Sequence, residues 1–388
     1  MATDYDLLII GGGIHGAGIA QAAAARGYSA LLLEQTEIAS GTSSRSSKLI
    51  HGGLRYLESG QFSLVQECLR ERALLLKLAP QLVKLVPFYI PVYAHTTRRP
   101  WLLTAGLSLY ALLGGLDAVT RFKRLPKKIW GNLDGLETNN LQAVFQYYDA
   151  QTDDATLTRA VMRSAQTLGA ELALPATFLG ATLSDGENQI DYQHQGKNLS
   201  CTARVIVNAA GPWVQKILDR ITPTPAQYPV ELVQGAHIIV PGQIVQGIYY
   251  VEAADRRAVF VMPWQGHTLV GTTENVYRGD PSAVAPLPQE QAYLLQTLTR
   301  YFPQHGATQE ILGATAGLRV LPQGAGAAFN RPRETLLYPD REHQPRLLTV
   351  YGGKLTTYRL TAARVMQRLA GSLPTRKRIA DTNKLMLR

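Results

Sequence analysis

Near its start the chain carries Gly11-x-Gly13-x-x-Gly16, preceded by the apolar run Tyr5 to Ile10 and followed by the small-residue stretch Ile14 to Arg26. A second apolar run, Ala30 to Leu33, then ends on Glu34. Few backbones need three glycines at this spacing between a strand-like and a helix-like segment. A side chain at either of the first two would block a tight turn and the close approach of a ligand. Unpaired N–H groups and the dipole at such a helix start favour an anion. The acid 18 positions after the last glycine is placed to accept a ribose hydroxyl. The pattern therefore predicts a strand-turn-helix-strand unit that binds a dinucleotide. Glu34, with no basic residue beside it, disfavours a 2′-phosphate.

The 388 residues allow two to three domains at roughly 150 residues each. With 46% hydrophobic and 18% charged residues the chain is globular, which excludes disorder and small disulfide scaffolds. Cys68 and Cys201 lie far apart outside any CxxC, so neither a metal site nor a disulfide framework is expected, and a reducing compartment is. Asp4 stands where a basic leader region would, and Leu7 to Ile10 is too short for a signal-peptide core, so export is not expected.

Further along, Phe62 to Val83 reads as a surface helix with one buried face. Ala203 to Asn208 is a strand whose Ala-Ala-Gly-Pro turn leads to a helix near Trp213. Alternating β-branched runs from Pro229 to Thr273, broken by Pro241-Gly242 and Gln265-Gly266, predict a second domain on an antiparallel sheet. Leu347 to Tyr351, Gly352-Gly353 and Leu355 to Leu369 form another strand, glycine turn and helix. The fingerprint does not distinguish NAD from FAD. The run from Gly41 to Glu58, dense in hydroxyls and glycines and including Arg55-Tyr56, suits a loop wrapped along phosphates and a flavin ring.

On these residues the sequence resembles the FAD-dependent glycerol-3-phosphate dehydrogenases of the D-amino-acid-oxidase-like flavoprotein superfamily. The match continues in order through Asp153-Asp154-Ala155, Asn208 to Trp213, Gln234 to Pro241, Val261 to Trp264, Gly271-Thr-Thr273, Gly317-Leu-Arg319 and Gly352 to Arg359. The resemblance implies a mixed α/β fold, in which a Rossmann-like FAD domain carries an inserted antiparallel-sheet substrate domain. The expected partition is 1–88, 145–220 and 333–375 for the FAD domain, 89–144 and 221–332 for the substrate domain, and a tail at 376–388. It implies oxidation of sn-glycerol 3-phosphate at C2, with non-covalent FAD and a membrane quinone as acceptor.

The cofactor residues it implies are Gly11, Gly13, Gly16 and Glu34, then Thr42, Ser43, Ser44, Ser47, Lys48, Leu49, His51, Gly53 and Leu54. Gly211, Trp213, Gly353, Lys354, Leu355 and Thr356 complete them. Catalytic candidates are Arg319 as phosphate clamp with Arg55 and Tyr56, His237 as base, Lys354, Thr273 and Glu274. His237, Lys354 and Glu274 all stay open as the group that takes the hydroxyl proton. N–H groups from Lys354 to Thr357, at the start of a helix near Leu355, are expected to stabilise reduced flavin. The sequence departs from the family pattern at Glu274, where Asp is usual, and at Val320, where Pro is usual. The family's further C-terminal helical domain is not expected here.

The net charge of +10 is uneven: Ala94 to Trp130 holds seven cations, Arg98, Arg99, Arg121, Lys123, Arg124, Lys127 and Lys128, against Asp117. They flank the uncharged Trp101 to Leu116, shorter than the roughly 20 residues a membrane crossing needs. An apolar helix with cationic ends reads as an interfacial anchor on an anionic leaflet, hence peripheral attachment at the inner face of the cell membrane; a buried helix beside a solvated basic loop is the rival. No motif for nucleic-acid binding accompanies the charge. The functional rivals are an oxidase or dehydrogenase of another small anion, a 2-hydroxy acid or amino acid, and a non-catalytic flavin-binding subunit. The oligomeric state is not legible.

Overall fold

The computed structural model describes residues 3–116, 118–307, 309–323 and 335–388. Two large mixed sheets organise the chain. In the first, Tyr5–Ile10 lies parallel between Ala30–Leu33 and the end of Lys197–Asn208, with Leu347–Tyr351 beyond. Leu7, Leu8 and Ile9 are fully buried, as expected of a parallel strand covered on both faces, whose sequence is a continuous apolar run. Helix Ile14–Ala25 packs on helices Asp154–Thr167 and Tyr358–Arg368 and is buried almost all round, which is why it is built of Ala, Gly and Ile. Gly16 lets it touch the first strand's turn: a Cβ there would lie 1.8 Å from the Gly11 carbonyl oxygen.

The second sheet is centred on Val230–Val240. Along one edge of that strand runs Gly313–Pro322, with Val233 opposite Arg319 and His237 opposite Thr315. Along the other lie His267–Gly271, with His237 opposite Gly271, and Asn275–Tyr277. The sheet continues through Ala258–Trp264, Ile248–Glu252, Val83–Tyr93 and Leu141–Thr152 to Leu49–Ile50. Val83–Tyr93 and Leu141–Thr152 pair along almost their whole lengths, so strand pairing runs straight through the expected domain junctions at 88/89 and 144/145. The junction at 332/333 and Asp117 lie outside the described residues.

Three local expectations shift. The helix expected over Phe62 to Val83 is Phe62–Leu78; Pro80 offers no N–H to continue it, and Val83 already opens a strand. The segment after Ala210 makes a 3-10 turn, Gly211–Trp213, before the short helix Val214–Leu218. The last helix starts at Tyr358, not near Leu355, because Lys354 to Thr357 form a turn held to another loop: the His51 N–H donates to Thr356 Oγ1 at 3.2 Å. Residues 376–388 return to the elements around the first sheet, with Leu387 buried and its N–H bonded to the Leu78 carbonyl.

Helix Pro100–Leu113 has two apolar faces. Leu103, Leu107, Tyr110 and Ala111 are buried, whereas Trp101, Leu102 and Leu112 are exposed. No described helix is long and apolar enough to cross a membrane.

Gly16→Ala is expected to destabilise the fold by about 1–3 kcal/mol, because the methyl meets fixed backbone rather than a side chain that can turn away. Denaturant melts of the variant check it, and an unchanged midpoint would show that the helix can retreat freely.

Candidate active site

The C-terminal ends of the parallel strands converge on one side of the first sheet, the place where open α/β folds bind ligands. A cavity of about 730 Å³ lies there and extends to the second sheet, its walls running from Glu34 and Thr36 at one end to Arg55, Arg319 and Lys354 at the other. At the first end, Gly11 has a φ of +108°, and a Cβ on it would sit 2.7 Å from the Ala209 carbonyl oxygen. Glu34 accepts from the Gly12 N–H at 2.7 Å and the Thr36 N–H at 2.8 Å, which ties the glycine turn to the strand end. The Ile14 N–H, at the helix start, donates to Ser43 Oγ.

The loop after Glu34 is braced from beneath. Asp154, fully buried at the start of its helix, accepts from the Ser46 N–H and hydroxyl and pairs with Lys48 at 2.6 Å. The Lys48 ammonium also donates to the Ser44 carbonyl. Lys48 and Ser44, expected to touch cofactor, therefore form the underside of the loop and do not line the cavity; Gly16 likewise acts through packing. Thr42 Oγ1 donates to the Leu318 carbonyl at 2.7 Å, joining the loop to the strand that bears Arg319. Ser43, Ser47, Leu49, His51, Gly53 and Leu54 face the cavity, as do Gly211 and Trp213.

At the far end Arg319 pairs with Glu274 at 3.1 Å, and Gly235 on the neighbouring strand leaves room for its guanidinium: a Cβ there would lie 2.8 Å from Nη2. The Lys354 ammonium stands over the Tyr56 ring at 4.2 Å, with Arg55 alongside. Gly353, at φ +113°, and Leu355 and Thr356 complete that wall. His237 Nε2 lies 3.0 Å from Ser47 Oγ, and its Nδ1 is buried without a partner among the described residues. Burial, followed by the Arg319 and Lys48 charges, holds this imidazole down at about 3, so it is neutral near pH 7. Thr273, expected as a catalytic hydroxyl, is spoken for: it donates to Glu290 at 2.6 Å and accepts from the Ala236 N–H.

Several residues of this site carry no local sequence signal. Glu290, buried, also accepts from Gln234 and Asn275 and so locks the Thr273 turn to the His237 strand. Arg257 lines the cavity and donates to the Glu274 carbonyl at 3.0 Å. His15, inside the glycine fingerprint, sits where a Cβ on Gly353 would come within 2.0 Å of its Nε2. Its Nδ1 is buried, again without a partner among the described residues, and burial lowers the imidazole to about 4. Only the fingerprint position of His15 marked it. Among the described residues no cluster of side chains could hold a metal ion, and both cysteines are buried and unbridged.

The cavity fits FAD. A glycine turn without Cβ atoms and a helix start suit its pyrophosphate, Glu34 suits its ribose, and the cavity volume leaves space for a ring system.

The two buried imidazoles set a pH dependence. Unfolded, both titrate near 6.5, and folded at about 4 and about 3. As pH falls from 6.5 toward 4, the unfolded chain takes up protons that the folded one refuses, so stability is complete above this window and declines through it. Denaturant melts at pH 7 and pH 5 measure the decline. Replacing His15 and His237 by Asn is expected to shrink it, and an undiminished decline assigns it to other groups.

Residues 6–365 match the family described as FAD dependent oxidoreductase. A glycerol-3-phosphate dehydrogenase of Pseudomonas aeruginosa is 40% identical over 95% of this chain and 72% of its own length. A D-erythritol 1-phosphate dehydrogenase of Brucella abortus is 36% identical over 95% of this chain and 74% of its own. The X-ray structure of the glycerol-3-phosphate dehydrogenase from Bacillus halodurans complexed with FAD superimposes with a TM-score of 0.73 at 26% identity, covering 99% of this chain and 67% of that one. With the fold, the cavity and these likenesses together, the chain belongs to the FAD dependent oxidoreductase family and is an enzyme that uses FAD.

Proposed function

We propose that the enzyme oxidises sn-glycerol 3-phosphate at C2 to dihydroxyacetone phosphate, with hydride passing to FAD and electrons onward to a quinone held in a membrane. The observation that carries this reading is that Arg55, Lys354, Arg319 and a neutral His237 line one nucleotide-sized cavity. The relative named for glycerol 3-phosphate supports the substrate. The relative named for D-erythritol 1-phosphate favours a second reading, a longer polyol phosphate with the same phosphate and adjacent hydroxyl.

The bound flavin supplies the two-electron acceptor. Arg319 presents a planar fork suited to two phosphate oxygens, and Glu274 fixes its direction beforehand. Arg55 and Lys354, lining the same cavity, add positive charge. With Ser47 Oγ on its Nε2, His237 is placed to take the hydroxyl proton directly or through the serine. Two of the causes that suppress its basicity are the Arg319 and Lys48 charges. A phosphate dianion on Arg319 offsets the first, so His237 becomes a better base once substrate is bound.

Membrane attachment belongs to the same proposal. Trp101, Leu102 and Leu112 form an exposed apolar face, with Arg99, Arg121, Lys123, Arg124, Lys127 and Lys128 exposed near it. Arg98 does not join them, because it is held by Glu58 and Glu252. These residues suit peripheral docking on the anionic inner leaflet of the cell membrane.

Anaerobic sn-glycerol 3-phosphate is expected to bleach the oxidised flavin of the purified enzyme faster than D-erythritol 1-phosphate does. The reverse order selects the second reading, bleaching only by a 2-hydroxy acid or amino acid selects another substrate class, and no bleaching by any of them points to a binding subunit. Arg319→Ala is expected to raise KM on the order of 100-fold, as loss of paired charge-assisted hydrogen bonds worth roughly 3 kcal/mol implies.

Flotation with vesicles tests attachment separately. Binding to anionic vesicles at low salt, weakened by added salt and by Trp101→Ser, is expected; a protein that stays below the lipid leaves the helix face unexplained by membrane docking.

A further inference from the structure

Arg55 and Tyr56 stand on a loop with little structure of its own. A single 3-10 turn, Leu54–Leu57, supports it, and the bonds within it are short-range: Tyr56 N–H to the Gly53 carbonyl and Glu58 N–H to the Arg55 carbonyl. The helix Pro100–Leu113 and the arginine just before it brace the loop, one contact at each end, beside the bonds of His51 N–H to Thr356 and of Gly52 N–H to Asp149.

At the first end the Gly52 N–H donates to the Tyr110 hydroxyl at 2.9 Å, and that hydroxyl donates onward to Asp149 Oδ2 at 2.6 Å. Asp149 is fully buried and is itself paired with the buried Arg72 at 2.5 Å. The fit is close: a Cβ on residue 52 would lie 2.4 Å from the Tyr110 oxygen and 2.6 Å from a Leu69 methyl. At the second end the Arg98 guanidinium donates through Nε and Nη2 to the two Glu58 oxygens at 2.5 and 3.0 Å, while its Nη1 reaches Glu252 at 3.1 Å. Between the anchors Leu54, Tyr56 and Leu57 pack against the cluster that contains Leu103, Leu107 and Tyr110. Neither Tyr110 nor Arg98 lines the cavity.

We propose that Tyr110 and Arg98 are positioning residues for the substrate anion, two anchors by which the surface helix sets where Arg55 and Tyr56 stand. Neither lines the cavity; their direct bonds to the loop are at Gly52 and Glu58, while Tyr110 also meets Tyr147 edge-on and Arg98 stands over Tyr250, both in the cavity wall. The proposal rests on the reading of Arg55 as an anion contact. Under it the helix works on both sides, since its outer face is open to a partner while its inner face dictates the geometry of the anion end of the site. A displacement of the helix is therefore felt at Arg55 before it reaches the nucleotide end.

The test uses the FAD-loaded enzyme and the variants Tyr110→Phe, which removes one oxygen, Arg98→Met and Arg98→Lys. In the first two, KM for sn-glycerol 3-phosphate is expected to rise about tenfold, the loss of roughly one hydrogen bond's worth of loop placement, with kcat and the FAD dissociation constant little changed. Arg98→Lys is expected to recover part of the loss. In an Arg55→Ala background, Tyr110→Phe is expected to add almost nothing to KM, because the group it positions is gone. A full additional tenfold rise in that background overturns the proposal, as does loss of FAD or of thermal stability in parallel with KM, since either shows a general rather than a local role. Inorganic phosphate, titrated against the flavin absorbance, separates this from the substrate assignment. If glycerol 3-phosphate fails to reduce the flavin but phosphate binding still weakens in Tyr110→Phe, the anchors stand and the substrate reading falls. If phosphate binding is indifferent to Tyr110→Phe and Arg98→Met, the anchors fall.

Discussion

The site depends on places where chain segments meet closer than a methyl group allows. A Cβ on Gly16 would meet the Gly11 carbonyl at 1.8 Å, one on Gly353 would meet His15 at 2.0 Å, and one on Gly271 would meet His237 at 2.1 Å. The first contact lets a helix start stand directly behind the turn that faces the pyrophosphate. The second locks the first glycine motif to the last, so that residues from opposite ends of the chain share one wall. The third lays His237 flat across its neighbouring strand. Packing at this distance leaves a cavity whose backbone walls cannot shift independently, which is what a long, rigid cofactor requires of its site.

Buried carboxylates supply the second level of order. Asp154 holds the loop of 44–48, Asp149 holds Gly52 through Tyr110, and Glu290 holds the Thr273 turn. Each is almost fully removed from water, an arrangement that is unfavourable unless every oxygen is satisfied. Their partners are loop N–H groups, hydroxyls and cations, so in each case the carboxylate converts an irregular loop into a fixed one. Removing any of the three would leave a cation or several donors unmatched behind the wall.

The first strand, its glycine turn, the helix and Glu34 were legible because their signal lies in consecutive residues whose spacing matches their geometry. The antiparallel pairing of the strands between Val230 and Gly271 was legible from alternation in the same way, whereas the parallel junction of Ile248–Glu252 with Val83–Tyr93 was not. Lys48 was not: a lysine among serines reads identically whether its ammonium ends on a phosphate or on Asp154, and only the fold brings Asp154 beneath it. The bond from Thr273 to Glu290 was not legible for the same reason, since Glu290 lies on a separate helix. His15 was hidden because its neighbour Gly353 comes from the other end of the chain. The start of the last helix shifted because Thr356 is bonded to His51, a tertiary contact that overrides local helix preference. What escaped the sequence was thus the contacts between distant segments, and the layer of residues behind the cavity wall consists almost entirely of these.

The surplus of positive charge divides by the same criterion. Arg72, Arg359 and Lys48 are matched to carboxylates in the interior, Arg98 is matched to Glu252 and to the exposed Glu58, and all four contribute order rather than field. The cations of 121–128 are exposed, in the segment that follows the helix with an exposed apolar face. Arg319 stands between these classes. Its Glu274 partner orients the guanidinium and also lowers its net attraction for an anion, so a singly charged carboxylate ligand gains little there. A dianion gains about twice as much from whatever positive potential remains, to which Arg55 and Lys354, lining the same cavity, add. Under the proposed reading, a preference for phosphate over carboxylate therefore comes from the summed positive potential of the cavity, and the Arg319–Glu274 pair contributes the direction of the guanidinium rather than the discrimination itself.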